Sequence, residues 1–389
     1  DRYDGVQLYD FKQNGGALVG SGLLSYVDTN GKLLSTDRTW EVIKNYNIGL
    51  DFGFLDNRLT GTAELFWKKC NNMLIDVTYP GTLGDKAPTA NRGSFKANGW
   101  EGTINWSDKI GEISYHLGGT FTYTTNKLVD NGGDAVIKSG VVSNREGYPL
   151  NSVFGLKYCG KIQTQDQLDK YINQYANGNN NIAMPGNLRL GDNMYEDVNK
   201  DGKLTEADYV YLGTDDPKVS FSFNAGLSWK GFDVSVIFQG AGKRTVWRGG
   251  ENNQKGKNDN WRIPMMSWYN NSTNQSVGNV WSAETPNAHY PTYTHQTQIN
   301  LYNYICSSWS VEDGAYLRLK NVTLGYTFPA NVLSKTKFIS YARIYVSGAD
   351  LWENSKIKDG WDPEASRKVE TFGRYPFTRN LTVGLNLTF

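Results

Sequence analysis

Apolar and polar residues alternate without a break at the end of this chain. Leu381, Val383, Leu385, Leu387 and Phe389 interleave with Thr382, Gly384, Asn386 and Thr388. A period of two puts the two sets on opposite faces of a strand. The pattern recurs upstream. Tyr46, Ile48, Leu50, Phe52 and Phe54 alternate with Asn47, Gly49, Asp51 and Gly53; Trp100, Ile104 and Trp106 oppose Glu101, Thr103 and Asn105. Ile113 to Tyr123, Val219 to Trp229 and Phe232 to Phe238 repeat it. Less regular strands are expected near 58–71, 314–328 and 338–348, with a bulge between Leu319 and Val322 where the apolar phase changes. The sum is about nine strands of 10–14 residues, longer than the usual soluble strand of about five or six. Strands of that length suit a tilted crossing of a bilayer, which needs about 9–11 residues.

The connections alternate in length. Short links are expected at Leu55–Asn57, Ser107–Ile110, Lys230–Gly231 and Pro329–Lys337. Long segments fall between them, at about 72–92, 126–216, 242–313 and 349–378. Bacterial outer-membrane barrels have short periplasmic turns and long external loops. Each strand entering a short link, and the terminal one, ends in an aromatic on its apolar face: Phe54, Trp106, Trp229, Phe328 and Phe389. Such rings form girdles at membrane interfaces. The expected fold is therefore all-β, a transmembrane antiparallel β-barrel. Residues 1–43 are an external region and truncated start, and 44–389 are barrel wall with its extracellular loops. An edge left unpaired in lipid is very costly, so further strands are expected before Asp1 or in another chain.

Composition narrows this picture little. With 40 Lys+Arg against 39 Asp+Glu there is no global electrostatic case for nucleic acid. Aromatics reach 13% while mean hydropathy is polar, which suits strands with one wet and one greasy face. No run of about 18 apolar residues marks a transmembrane helix. Cys70, Cys159 and Cys306 have neither metal nor disulfide spacing.

One stretch carries metal chemistry. Asp197, Asn199, Asp201, Gly202, Lys203, Thr205 and Asp208 occupy positions 1, 3, 5, 6, 7, 9 and 12 of a calcium-type loop. Asp197, Asn199, Asp201, Thr205 and Asp208 would offer side-chain oxygens, and Lys203 its carbonyl. Oxygen donors without His or Cys favour Ca²⁺ over transition metals. Its expected role is structural, clamping a long external excursion.

No nucleophile, phosphate-loop or zinc-protease motif is present, so catalysis is not expected. His289 and His295 lie in a Pro/Thr/Asn-rich stretch without an acidic partner at ligand spacing. Residues 244–310 are rich in Trp, Tyr, Asn, Gln and Arg. Trp247, Arg248, Trp261, Arg262, Trp268 and Tyr269 are the candidates to face substrate or partner, while loops packing on one another would use the same residues.

Several stretches in order resemble one family. They are Trp40-Glu41 with Asn47-Ile-Gly-Leu-Asp-Phe52, Asn57-Arg-Leu-Thr-Gly61, Asn91-Arg-Gly-Ser-Phe95, Asn98-Gly-Trp-Glu101, Glu146-Gly-Tyr-Pro149, Gly191-Asp192 before the calcium-type loop, Glu312 to Tyr326, Ser347-Gly-Ala-Asp-Leu-Trp352, Gly360-Trp-Asp-Pro-Glu364 and terminal Phe389. Together they resemble the C-terminal part of a SusC/RagA-type TonB-linked outer-membrane transporter. The resemblance implies a barrel of about 22 strands around an N-terminal plug, of which this chain supplies the last nine or so. It implies energy from a TonB complex acting through the plug, and a SusD-like surface lipoprotein as lid. It implies import of an oligosaccharide, or alternatively a peptide, across the outer membrane of a Gram-negative bacterium. A rival from another class is a soluble calcium-binding β-sandwich that binds polysaccharide.

Overall fold

The computed structural model describes residues 8–13, 18–19, 22–23, 25–30, 38–76, 89–132, 142–175, 184–247, 277–294, 296–336, 338–357, 362–364 and 378–389. Among them one antiparallel sheet of nine strands dominates. We number its strands β1 (Val42–Phe54), β2 (Leu59–Asp76), β3 (Thr89–Ile110), β4 (Ile113–Asn131), β5 (Val219–Trp229), β6 (Phe232–Ala241), β7 (Tyr316–Thr327), β8 (Tyr341–Ser355) and β9 (Asn380–Thr388). Every strand pairs with its neighbours in sequence order, so the sheet is a meander.

Two adjacent register rows show what the period of two achieves. One row crosses β1 to β8 through Phe52, Gly61, Ile104, Gly119, Phe223, Phe238, Leu319 and Trp352. Its neighbour, one residue away, runs through Asp51, Thr62, Thr103, Thr120, Ser222, Gln239, Arg318 and Glu353. The first row is apolar or glycine throughout, the second polar throughout. Slipping any strand by one residue would put its polar set on the apolar face, so the pattern fixes the register. Hydroxyls pair across the polar face, Thr62 with Thr103 at 2.8 Å and Thr120 with Ser222 at 2.7 Å.

The apolar face has no core above it. Leu385 is 61% exposed, Val383 72% and Phe223 44%, and Phe52 is half-buried. A soluble sandwich would bury these side chains against a second sheet; no such layer exists among the described residues. The sheet has the outward-apolar, inward-polar wall expected of a barrel.

The short links all lie at one end. Leu55, Asp56 and Asn57 form the first with positive φ, and Lys230–Gly231 form the third. The second lies elsewhere than the sequence suggested: Ser107–Ile110 are strand, paired with Ile113–His116, and the chain turns at Gly111 with φ +61°. Glycine adopts that conformation at no steric cost, whereas the alternation before it weakens in Ser107-Asp-Lys-Ile110 and reads as a turn. The girdle aromatics cluster at this end. The Phe232 and Tyr326 rings lie 4.6 Å apart, Tyr326 and Phe328 5.2 Å, and Phe338 stacks on Phe389 at 6.3 Å.

At the other end the strands outrun their expected limits. β2 continues to Asp76 and β3 starts at Thr89, shrinking the segment predicted at 72–92; β4 continues to Asn131 and β8 to Ser355. Bulges carry the ladder past the point where alternation fails, near Asn72 and Asp350, both at positive φ. The bulge expected in β7 is present between Leu319 and Asn321. Within the region predicted as 1–43, Leu8–Lys12 pairs antiparallel with Tyr26–Asn30.

The described parts of the two longest segments fold together into one body at the end of the wall expected to be external. Phe154, Leu156, Ile162, Leu168, Tyr171, Leu188, Tyr195, Leu204 and Tyr302 form its core. Helix α1 (Gln165–Tyr175) contributes Leu168, Tyr171 and Tyr175 from one face. Leu156 N–H donates to the Cys306 carbonyl and Ser308 N–H to that of Leu156, both at 2.9 Å, tying the two segments into one unit. Leu128 N–H donates to the Tyr148 carbonyl at 2.8 Å, and Gly147 N–H donates back at 2.9 Å, seating the body on β4.

Candidate metal loop and external binding surface

The calcium-type loop lies on this body. Residues 197–208 turn through Lys200 and Gly202, at φ +62° and +80°. Asp197 accepts from the N–H groups of Asp201 at 3.2 Å and Gly202 at 2.7 Å; Asn199 Oδ1 accepts from Asp201 N–H at 3.0 Å. Asp208 is fully buried and accepts from Val198 and Thr205 N–H at 2.9 and 2.8 Å, closing the loop on itself. Thr205 caps the short 3₁₀ turn Glu206–Asp208, its hydroxyl accepting from Ala207 N–H. The loop thus brings Asp197, Asn199, Asp201, Lys203, Thr205 and Asp208 into one turn, with the carboxylates engaged by backbone donors. Among the described residues no three His, Cys, Asp or Glu side chains are gathered to hold a metal ion. The donor set is all oxygen, and the Asp197 and Asp201 carboxylates retain lone pairs beyond their N–H bonds, whereas Asp208 Oδ1 already accepts from both Val198 and Asn199 N–H. Nearby, burial and the charge of Asp197 push the Tyr175 hydroxyl up to about 12.

A buried polar seam joins the two segments. Asn193 N–H donates to Asn303 Oδ1 and Asn193 Nδ2 to the Asn303 carbonyl, both at 2.8 Å; Asn303 Nδ2 donates to Asp192. The Tyr171 and Tyr302 hydroxyls lie 2.6 Å apart, and Tyr195 Oη donates to the Tyr302 carbonyl at 3.0 Å. Burial raises the Asp192 carboxyl, opposed by its bonds from Asn303 and Arg189.

The aromatics of 244–310 divide between packing and surface. Tyr302 and Tyr304 are buried, and Val280, Tyr290, Tyr293 and Trp309 pack around Tyr304. Trp247 is half-buried beside the pairing of Thr245–Val246 with Glu312–Asp313. The candidates Arg248, Trp261, Arg262, Trp268 and Tyr269, with His295, lie outside the described residues. His289 is exposed, stacked on Trp309 at 5.3 Å.

Sequence reasoning missed an ion network on the polar face of the wall. Arg318, 1% exposed, bonds Glu353 and meets Asp362 at 2.8 Å and Glu364 at 3.1 Å. Lys320 meets Glu364 at 3.1 Å and Asp350 at 3.3 Å. Arg244 joins Asp215 at 2.6 Å to the Pro363 carbonyl at 3.0 Å. The network ties Asp362-Pro-Glu364 to β7 and β8. Its signals in the sequence were the polar phase of β7 and the Gly360–Glu364 stretch, neither of which names a partner.

No family model matches the chain. It is 27% identical over 382 residues to TonB-dependent receptor P26 of Formosa agariphila, covering 93% of this chain and 36% of that protein. It is 23% identical to TonB-dependent receptor SusC of Bacteroides thetaiotaomicron, covering 94% of this chain and 33% of that protein. The RagAB peptide transporter superposes with a TM-score of 0.70 at 19% identity, and the RagAB peptide importer in its open-open state with 0.73 at 18%. Both comparisons take in all of this chain and 38% of the other. The chain therefore spans about a third of the length of the curated relatives it matches. It is homologous along its length to part of these TonB-dependent receptors, SusC among them, and shares its fold with part of the RagAB transporter.

Proposed function

We propose that this chain is wall and external body of an outer-membrane transporter that imports a bulky nutrient, an oligosaccharide, by TonB-dependent action. The reading rests on the paired register rows, greasy outward and polar inward across eight successive strands. Such a wall is stable only with hydrocarbon on one side and a polar lumen on the other. The whole protein acts with a SusD-like surface lipoprotein over the external body, and a plug in the lumen couples it to the TonB complex. The oligosaccharide is favoured by the flat aromatics and amides of the body, which suit sugar faces and hydroxyls. The RagAB neighbours transport peptide, which makes peptide the competing substrate.

The 197–208 loop holds one Ca²⁺ through Asp197, Asn199, Asp201, Thr205, Asp208 and the Lys203 carbonyl. The ion supplies no chemistry; it neutralises three carboxylates in one turn and stiffens the body.

Uptake of labelled oligosaccharide by cells producing the full transporter tests the central reading. Collapsing the inner-membrane potential should abolish uptake while surface binding persists. Uptake that continues unchanged would identify a passive pore instead.

A further inference from the structure

Two basic groups on the external body stand together without a counter-charge. Lys161 ends the strand Tyr158–Lys161, and its Nζ lies 3.4 Å from the Tyr158 hydroxyl and 5.9 Å from that ring's centre. Trp309 lies 6.4 Å from Tyr158, and His289 stacks on Trp309. Among the described residues neither Lys161 nor His289 pairs with a carboxylate. Glu196, just after the neighbouring strand Asn193–Tyr195, is taken by Lys157 at 2.8 Å. Lys161, Tyr158 and Trp309 are half-buried, so the ammonium is partly stripped of water, while His289 stays exposed at the edge. Burial alone pushes the Lys161 ammonium down, and burial with the Lys161 charge pushes the His289 imidazole down. A partly desolvated ammonium beside another basic group, with no carboxylate paired to either among the described residues, is unfavourable until an anion arrives. Beside them, the Tyr304 hydroxyl and Trp309 Nε1 are buried without hydrogen-bond partners among the described residues.

We propose that Lys161 and His289, framed by the rings of Tyr158 and Trp309, form a subsite that receives an anionic group, carboxylate or sulfate, on a sugar of the imported oligosaccharide. Lys161 supplies the positive charge. His289, neutral near pH 7, supplies one N–H donor. The Tyr158 ring and hydroxyl give the adjoining sugar an apolar face and a polar edge. The proposal rests on the oligosaccharide-import reading, whose failure would look different.

The test is calorimetric titration of the full transporter, with its lipoprotein partner, against three size-matched oligosaccharides: a neutral glucan, a polyuronate and a sulfated galactan. Wild type should bind one anionic ligand more tightly than the neutral one. Lys161→Met, which keeps most of the aliphatic stem, should weaken that ligand about tenfold or more and leave the neutral one unchanged. Lys161→Arg should retain most of the affinity, which excludes simple misfolding. Loss confined to the polyuronate assigns the subsite to carboxylate; loss confined to the sulfated galactan assigns it to sulfate. Unchanged anionic binding in Lys161→Met, or a wild type that prefers the neutral glucan, would overturn the proposal. A wild type that binds peptide and none of the three would overturn the oligosaccharide reading and this proposal with it.

Discussion

Leu156 and Leu385 are the same residue in two solvents. Leu156 is 0% exposed at the centre of the external body, among Phe154, Ile162 and Tyr302. Leu385 is 61% exposed on the outer face of the wall. The body obeys the rule of water: apolar side chains inside, backbone and tyrosine hydroxyls satisfied in a buried seam. The wall inverts it, holding its strands by backbone ladders and offering its leucines and valines outward. One chain encodes both because the wall needs only a period of two, whereas the body needs tertiary partners. The periodicity of a segment therefore says which solvent it expects.

The sharpest way to break this contrast is one truncation made in both places. Leu156→Ala should destabilise the body by about 3–5 kcal/mol, because it adds a cavity to the lost transfer energy. Leu385→Ala should lose only the transfer part, about 2 kcal/mol at most, because lipid chains follow the retreating surface. Local hydrogen exchange of the full-length protein in lipid would read both. An effect of similar size is expected on the polar face, where Arg318→Met strands Glu353, Asp362 and Glu364; removal of one partner of a buried pair costs about 3–5 kcal/mol. Faster proteolysis near 362–364 would report it.

Next comes a charge on the outer face. Val383→Arg should cost about 2–4 kcal/mol if the residue lies near the bilayer midplane. Thr382→Arg, one residue away on the polar face, should be tolerated. Folding yield into liposomes separates the two. Smaller still, Thr62→Val removes the 2.8 Å bond to Thr103 and should cost about 0.5–1.5 kcal/mol, seen as a modest shift in urea midpoint. For the body, chelating Ca²⁺ should speed protease cleavage within 197–208, and Asp197→Ala should make that rate insensitive to chelator.

The wall was largely legible in the sequence. The alternation of Tyr46 to Phe54 and Leu381 to Phe389 depends only on neighbours in the chain, as does the phase change at Leu319. The limits of the strands were not legible. Beyond the membrane nothing forces alternation, so Ser107 to Ile110 read as a turn and the tops of β2 and β4 as loop. The body was illegible for a different reason. Asn193 finds Asn303, and Tyr171 finds Tyr302, across a hundred residues and more, and no local pattern announces such pairs. The calcium-type loop was visible because its donors lie within one turn. Lys161 and His289 were not, because their relation exists only after the two long segments have packed.

The most direct test of the account is a spin-label scan along β9 of the full-length protein in liposomes. Labels at Leu381, Val383, Leu385 and Leu387 should relax faster with oxygen, which concentrates in lipid, and labels at Thr382, Gly384 and Asn386 with a water-soluble paramagnet. That alternation, residue by residue, is the predicted result. Equal shielding of Val383 and Leu385 from both reagents would mean a dry protein interior on the outer face and would contradict the account.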